Sequence, residues 1–140
     1  MWSKSSAVIP EGMEMAKRRI LSIDDEDDIR EVAQLSLETV QDWEVLTARS
    51  GKEGLGVAMV EQPDAILLDV MMPDMDGPTT VQKLKTSPEI AHIPVVLLTA
   101  KVHAADRQRF SSLGIRGLLP KPFDPLTLAD QLAEVLGWQM

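Results

Sequence analysis

The chain has 140 residues, 44% of them apolar and 26% charged, with no cysteine and a formal net charge of −8. That length supports one compact domain and is short for two, and the balance argues against wholesale disorder. The acidity disfavours a nucleic-acid backbone as partner. The lack of cysteine excludes disulfides and Cys-based zinc sites, and with no signal peptide and no apolar run of about 20 residues the expectation is a cytoplasmic protein without a membrane partner.

Residues 1–16 carry Ser, Pro and Gly without periodicity and read as a flexible N-terminal arm, leaving 17–138 for the domain. Short apolar runs then recur at 20–23, 45–46, 65–68, 95–98 and 118–119. The third and fourth are unbroken, as strands buried on both faces of a parallel sheet are. Helical patterns lie between them. The first has Asp27 and Asp28 in its opening turn and places Ile29, Val32, Ala33 and Ser36 on one face. Ser50-Gly51-Lys52-Glu53 is a capping box opening the second, which Gly54 and Gly56 should weaken by about 1 kcal/mol each. Gly77-Pro78 opens the third, and the fourth is expected over 104–113, stopping at Gly114. The fifth has Asp124 as cap, Pro125 at its first position and Phe123 placed to staple onto Leu128, and it ends at Gly137. This alternation specifies an α/β fold: a five-stranded parallel sheet with helices on both faces.

Ligands of such sheets bind at the carboxyl ends of the strands. There the sequence places Asp24, Asp25 and then Glu26 after the first strand, Asp69 after the third, Thr99 after the fourth and Lys121 after the fifth. Three close carboxylates cannot all ionise cheaply without a cation among them, and oxygen-only ligands with open positions suit Mg²⁺. A carboxylate there can attack phosphorus and form an aspartyl phosphate. Mg²⁺ and a lysine would neutralise the transferred group, and the Thr99 hydroxyl would donate to it. Taken singly, each residue has a bland role as a cap, a strand end or a solvated charge. Five of them at one end of successive strands favour one site.

The segments ILSIDDEDDIR, AILLDVMMPDMDG, IPVVLLTAK and LLPKPFDP resemble the response-regulator receiver domains of two-component signalling, over about 17–137. The resemblance implies a (βα)5 flavodoxin-like receiver fold with Asp69 as phosphoacceptor. It implies that Asp25 binds Mg²⁺ directly, Asp24 through a water, and Met71 through its backbone carbonyl. Thr99 matches the switch hydroxyl, Lys121 the phosphoryl-pairing lysine, and Lys121-Pro122 a bond that is typically cis. The implied donor is a sensor histidine kinase or histidine phosphotransfer protein. The unnamed downstream target would be engaged through the helix 4–strand 5–helix 5 face, by a signalling protein that is a monomer or weak homodimer and not an enzyme. Residues two past the acceptor and two past the switch hydroxyl, Met71 and Lys101, would tune the lifetime of the phosphoryl group. Two departures stand out. Leu118 occupies the place of the family's aromatic switch, and no output domain follows before Met140, so a single-domain regulator or a fragment is expected.

The same residues admit other readings. A pseudo-receiver would bind partners without phosphorylation, but such domains usually lack one or more of the five site residues. Asp74-Met75-Asp76-Gly77-Pro78-Thr79 superficially resembles the DxDGT loop of haloacid-dehalogenase phosphatases, yet it does not follow its strand directly. An FMN-binding flavodoxin would want a Ser/Thr/Gly phosphate loop after the first strand. His92 and His103 read as surface residues, and Met71, Met72 and Met75 as packing and loop residues.

Overall fold

A computed structural model describes residues 17–100 and 104–138. The predicted arm, Lys101 and His103 therefore lie outside the described residues. The elements run in order β1 (Arg19–Ile23), α1 (Asp27–Gln41), β2 (Glu44–Ala48), α2 (Gly51–Glu61), β3 (Ala65–Asp69), α3 (Gly77–Lys85), β4 (Val95–Thr99), α4 (Ala104–Ser111), β5 (Gly117–Pro120) and α5 (Leu128–Leu136). The strands form one parallel sheet in the order β2-β1-β3-β4-β5.

Because side chains alternate across a strand, each central strand feeds two cores. Ile20, Val45, Leu67, Val96, Leu98 and Leu119 pack with Ala33 and Leu37 of α1 and with Leu128, Leu132 and Leu136 of α5. Leu21, Ile23, Ile66, Leu68, Val95 and Leu97 face the other way, onto Ala58 of α2, Val81 and Leu84 of α3, and Phe110 of α4. This is why β3 and β4 are apolar at every position before their terminal Asp69 and Thr99. At the amino ends of the strands, Trp43 and Trp138 meet edge to face with ring centres 5.3 Å apart. The Arg18 guanidinium lies 4.3 Å from the Trp138 ring centre.

Local chemistry explains the helix ends. The Ser50 hydroxyl accepts from Glu53 N–H at 3.0 Å and starts α2. The Glu53 carboxylate reaches back to Arg49 N–H, one residue earlier than a capping box requires. Asp76 caps α3 by accepting from Thr79 N–H at 2.9 Å, with Pro78 in the first turn. Gly54 has a packing reason: a Cβ there would lie 2.3 Å from Ile23 Cδ1, whereas Gly56 faces open space.

Three expectations need correction. The buried face of α1 is Ala33, Ser36 and Leu37, and Val32 is 40% exposed, because the helix turns its 33–37 stripe to the sheet. The α-helical hydrogen bonding of α4 ends at Ser111, and a turn leads to Gly114 at φ +79°. Helix α5 begins at Leu128, not at Pro125. There the Asp124 carboxylate closes a local turn on Leu126 N–H at 2.9 Å, and its carbonyl accepts from Thr127 and Leu128 N–H. Phe123 still packs against the cluster that holds Leu128.

Candidate functional site

The strand register brings the site to one edge. Ile23 pairs with Leu68, Asp69 with Leu98, and Thr99 with Pro120. Backbone bonds continue past the strand ends: Asp24 N–H to the Ala48 carbonyl at 3.0 Å, Val70 to Leu98 at 3.2 Å and Lys121 to Thr99 at 2.9 Å. The residues that follow β1, β3 and β5 are thereby held side by side.

Carboxylate oxygens of Asp24, Asp25 and Asp69 lie within 4.8 Å of one another. Asp24 and Asp69 are almost fully buried, at 2% and 3% exposure. The Lys121 ammonium stands 3.2 Å from each of Asp24 Oδ2, Glu26 Oε1 and Asp69 Oδ1, and it donates hydrogen bonds to Glu26 and Asp69. Met71 N–H points back to Asp69 Oδ1 at 3.3 Å, and Met71 is 60% exposed. Thr99 is buried at the end of β4.

Burial, and then the neighbouring Asp24 charge, push the Asp69 carboxyl up to about 6, against the pull of Lys121. Burial likewise raises Asp24, opposed by the Glu26 N–H and by Lys121. Burial works against the charge on Lys121, but Asp24 and Asp69 outweigh it and its pKa is raised. Among the described residues, Asp24 Oδ2 and Asp25 Oδ1 are buried without a hydrogen-bond partner, although Asp24 Oδ2 is ion-paired with the Lys121 ammonium at 3.2 Å. Orphaned, oxygen-only donors in a strained carboxylate cluster suit a hard divalent cation that keeps some waters, and Mg²⁺ fits that description.

Sequence reasoning left Glu26 without a role, although its contact with Lys121 spans 95 positions. It also missed Arg30, which donates to the Asp24 carbonyl at 2.8 Å and pairs with Asp27. The Asp74 to Thr79 segment is used in capping. Asp74 accepts from Gly51 and Lys52 N–H at 3.2 and 3.1 Å, at the start of α2, and Asp76 caps α3. This leaves the phosphatase-loop reading without its acid–base pair. His92 is exposed in the turn before β4, and Met72 is buried in the core.

The chain matches the response regulator receiver domain over residues 20–133. It belongs to that family. The receiver chain is 44% identical over 110 residues to Response regulator PleD of Caulobacter vibrioides, covering 79% of this chain and 24% of that protein. It is 37% identical over 124 residues to the Probable transcriptional regulator ycf27 of Cyanophora paradoxa, covering 89% of this chain and 50% of that one. The chain thus spans at most about half the length of these relatives. Among solved structures, the chemotaxis response regulator CheY4 of Vibrio cholerae superposes with a TM-score of 0.79 at 32% identity, covering 85% of this chain and 98% of that one.

Receivers are signalling domains of two-component systems, in which a phosphorylated aspartate and bound Mg²⁺ are typical. This receiver has the flavodoxin-like sheet order and a cis Lys121–Pro122 bond. No helix among its described residues is long and apolar enough to cross a membrane.

Proposed function

We propose that the chain, as a receiver domain over 17–138, takes a phosphoryl group onto Asp69 from a phosphohistidine of a sensor kinase or phosphotransfer protein. The observation that carries this reading is the buried Asp69 carboxylate, joined at 3.2 Å to Lys121, with Asp24 Oδ2 ion-paired to the same ammonium and Asp25 Oδ1 buried without a hydrogen-bond partner. An Asp69 oxygen attacks phosphorus in line. The P–O bond forms as the P–N bond to the donor imidazole breaks, and the leaving nitrogen keeps the electron pair and is protonated from solvent.

With its pKa near 6, Asp69 is mostly ionised at neutral pH, and its burial limits the water that would otherwise blunt it. Lys121 donates N–H to the transferred phosphoryl oxygens, and the Thr99 hydroxyl donates from the end of β4. Asp24, Asp25, Asp69 and the Met71 carbonyl would hold Mg²⁺, which supplies positive charge against the phosphoryl oxygens.

The change is then read on the α4–β5–α5 face. Leu118 lies half-buried there in a groove of about 260 Å³ with Arg107, Ile115 and Gly117. Leucine cannot hydrogen-bond, so the switch on this face is a repacking of two accessible states. The test is incubation with Mg²⁺ and acetyl phosphate followed by intact-mass measurement. One phosphoryl group should add to the wild type and none to Asp69→Asn. An unmodified wild type would favour a pseudo-receiver that binds partners without phosphorylation.

A further inference from the structure

Glu26 occupies the cap position of α1, yet its carboxylate makes no cap hydrogen bond. Caps favour Ser, Thr, Asp and Asn, so the start of the helix does not account for a glutamate. The side chain reaches across the carboxyl edge to Lys121, Oε1 to Nζ at 3.2 Å, while its N–H donates to Asp24 Oδ1 at 2.9 Å. Of the three carboxylates around that ammonium, Glu26 stands in solvent, at 61% side-chain exposure against 3% for Asp24 and for Asp69. The nearby Arg30 is engaged with the Asp24 carbonyl and Asp27.

We propose that Glu26 is a positioning residue for Lys121 and an electrostatic filter at the mouth of the site, one that disfavours small free anionic phosphodonors. The proposal rests on the phosphoacceptor reading above. In the unmodified chain Glu26 anchors the ammonium on the solvent side, so part of the lysine's hydrogen bonding is withheld from an arriving phosphoryl group. Its own charge adds to that of Asp24, Asp25 and Asp69, and it lies on the exposed side, where a donor enters. A free dianion such as acetyl phosphate meets this charge unscreened. A protein donor can set a basic side chain against it, as complementary interfaces do.

An exposed charge of this kind is worth about a two- to fivefold rate effect. The 140-residue wild type, Glu26→Gln, Glu26→Ala and Glu26→Asp are phosphorylated with acetyl phosphate and Mg²⁺ at low and high ionic strength, and adduct formation is timed by intact mass. Beryllofluoride affinity is measured on the same proteins by fluorine NMR. Glu26→Gln and Glu26→Ala should gain adduct about two- to fivefold faster and bind beryllofluoride tighter by a similar factor. The gap should shrink in high salt, and Glu26→Asp should keep the slower wild-type behaviour. Equal or lower rates in the neutral variants, with unchanged salt dependence, overturn the proposal and leave the phosphoacceptor reading standing. No adduct on the wild type overturns both.

Discussion

Lys121 and Asp69 meet at 3.2 Å, Nζ to Oδ1, although 52 positions separate them in the chain. The contact ties the end of β5 to the end of β3. It does not fully offset the burial of Asp69 and the repulsion from Asp24, which leave the Asp69 carboxyl at about 6.

That pKa has a consequence for stability with a definite sign. The usual value is 3.8 and the folded value about 6, so the folded chain holds this proton more tightly than the unfolded chain. The contribution is fully present below the usual pKa and is lost as pH rises through about 6. Asp24 is shifted in the same direction. Asp27 and Asp76, held below the usual range by Arg30 and Thr79, act oppositely, and their stabilisation is lost as pH falls below the usual carboxylate pKa. Metal-free Asp69→Asn should therefore be more stable than wild type at about pH 7.5, by about 1–3 kcal/mol. The gap should narrow as pH falls through about 6 and close only below the usual value of 3.8, and it should also shrink on adding Mg²⁺. Urea denaturation across pH measures it, and a variant less stable than wild type at neutral pH would contradict the carboxylate-strain account.

Gly54 and Gly56 should respond oppositely to alanine. Both gain helix propensity, about 1 kcal/mol. At Gly54 the new methyl meets Ile23 Cδ1 at 2.3 Å and Cγ1 at 2.8 Å, and Ile23 is locked in the core. Gly54→Ala should lose about 1–3 kcal/mol from overpacking, while Gly56→Ala should gain about 0.5–1 kcal/mol. Equal shifts in the two denaturation midpoints would refute the close-approach argument.

Asp74→Ala removes the acceptor for two N–H groups at the start of α2. The expected loss is about 1 kcal/mol, with phosphoryl uptake on Asp69 retained. Asp76→Ala should behave alike through α3. If either variant lost the adduct while remaining folded, the capping assignment would be incomplete.

We propose that Met71 tunes the lifetime of an aspartyl phosphate on Asp69. The Met71 side chain is apolar and unable to orient a water, the residue is exposed, and its N–H is directed at Asp69. Met71→Asn places an amide there and should shorten the phosphoryl lifetime severalfold, timed by loss of the mass adduct. An unchanged decay would separate this side chain from hydrolysis.

The central strands were legible because burial on both faces makes β3 and β4 unbroken apolar runs. β2 was read as two residues of its five, since an edge strand alternates with exposed positions such as Glu44. The start of α5 was misplaced because Pro125 suits a first helical turn, and nothing local reveals that Asp124 closes a separate turn first. The site residues Asp24, Asp25, Asp69 and Lys121 could be gathered from their common position at strand ends, and the structure brings them together. Glu26 could not be assigned in that way. Its neighbours in sequence suggest a helix start, and only folding sets it beside Lys121.

The paired indoles of Trp43 and Trp138 have an optical consequence. Both lie at the amino ends of the strands, and a five-residue strand puts roughly 17 Å between that end and the carboxylates. Their emission should change sharply when the two rings and Arg18 separate on unfolding, and stay flat when phosphate or Mg²⁺ arrives at the far edge. With Trp2 replaced by Phe, the intrinsic fluorescence of this pair is thus expected to gauge folding, and occupancy of Asp69 has to be followed by mass or by magnetic resonance.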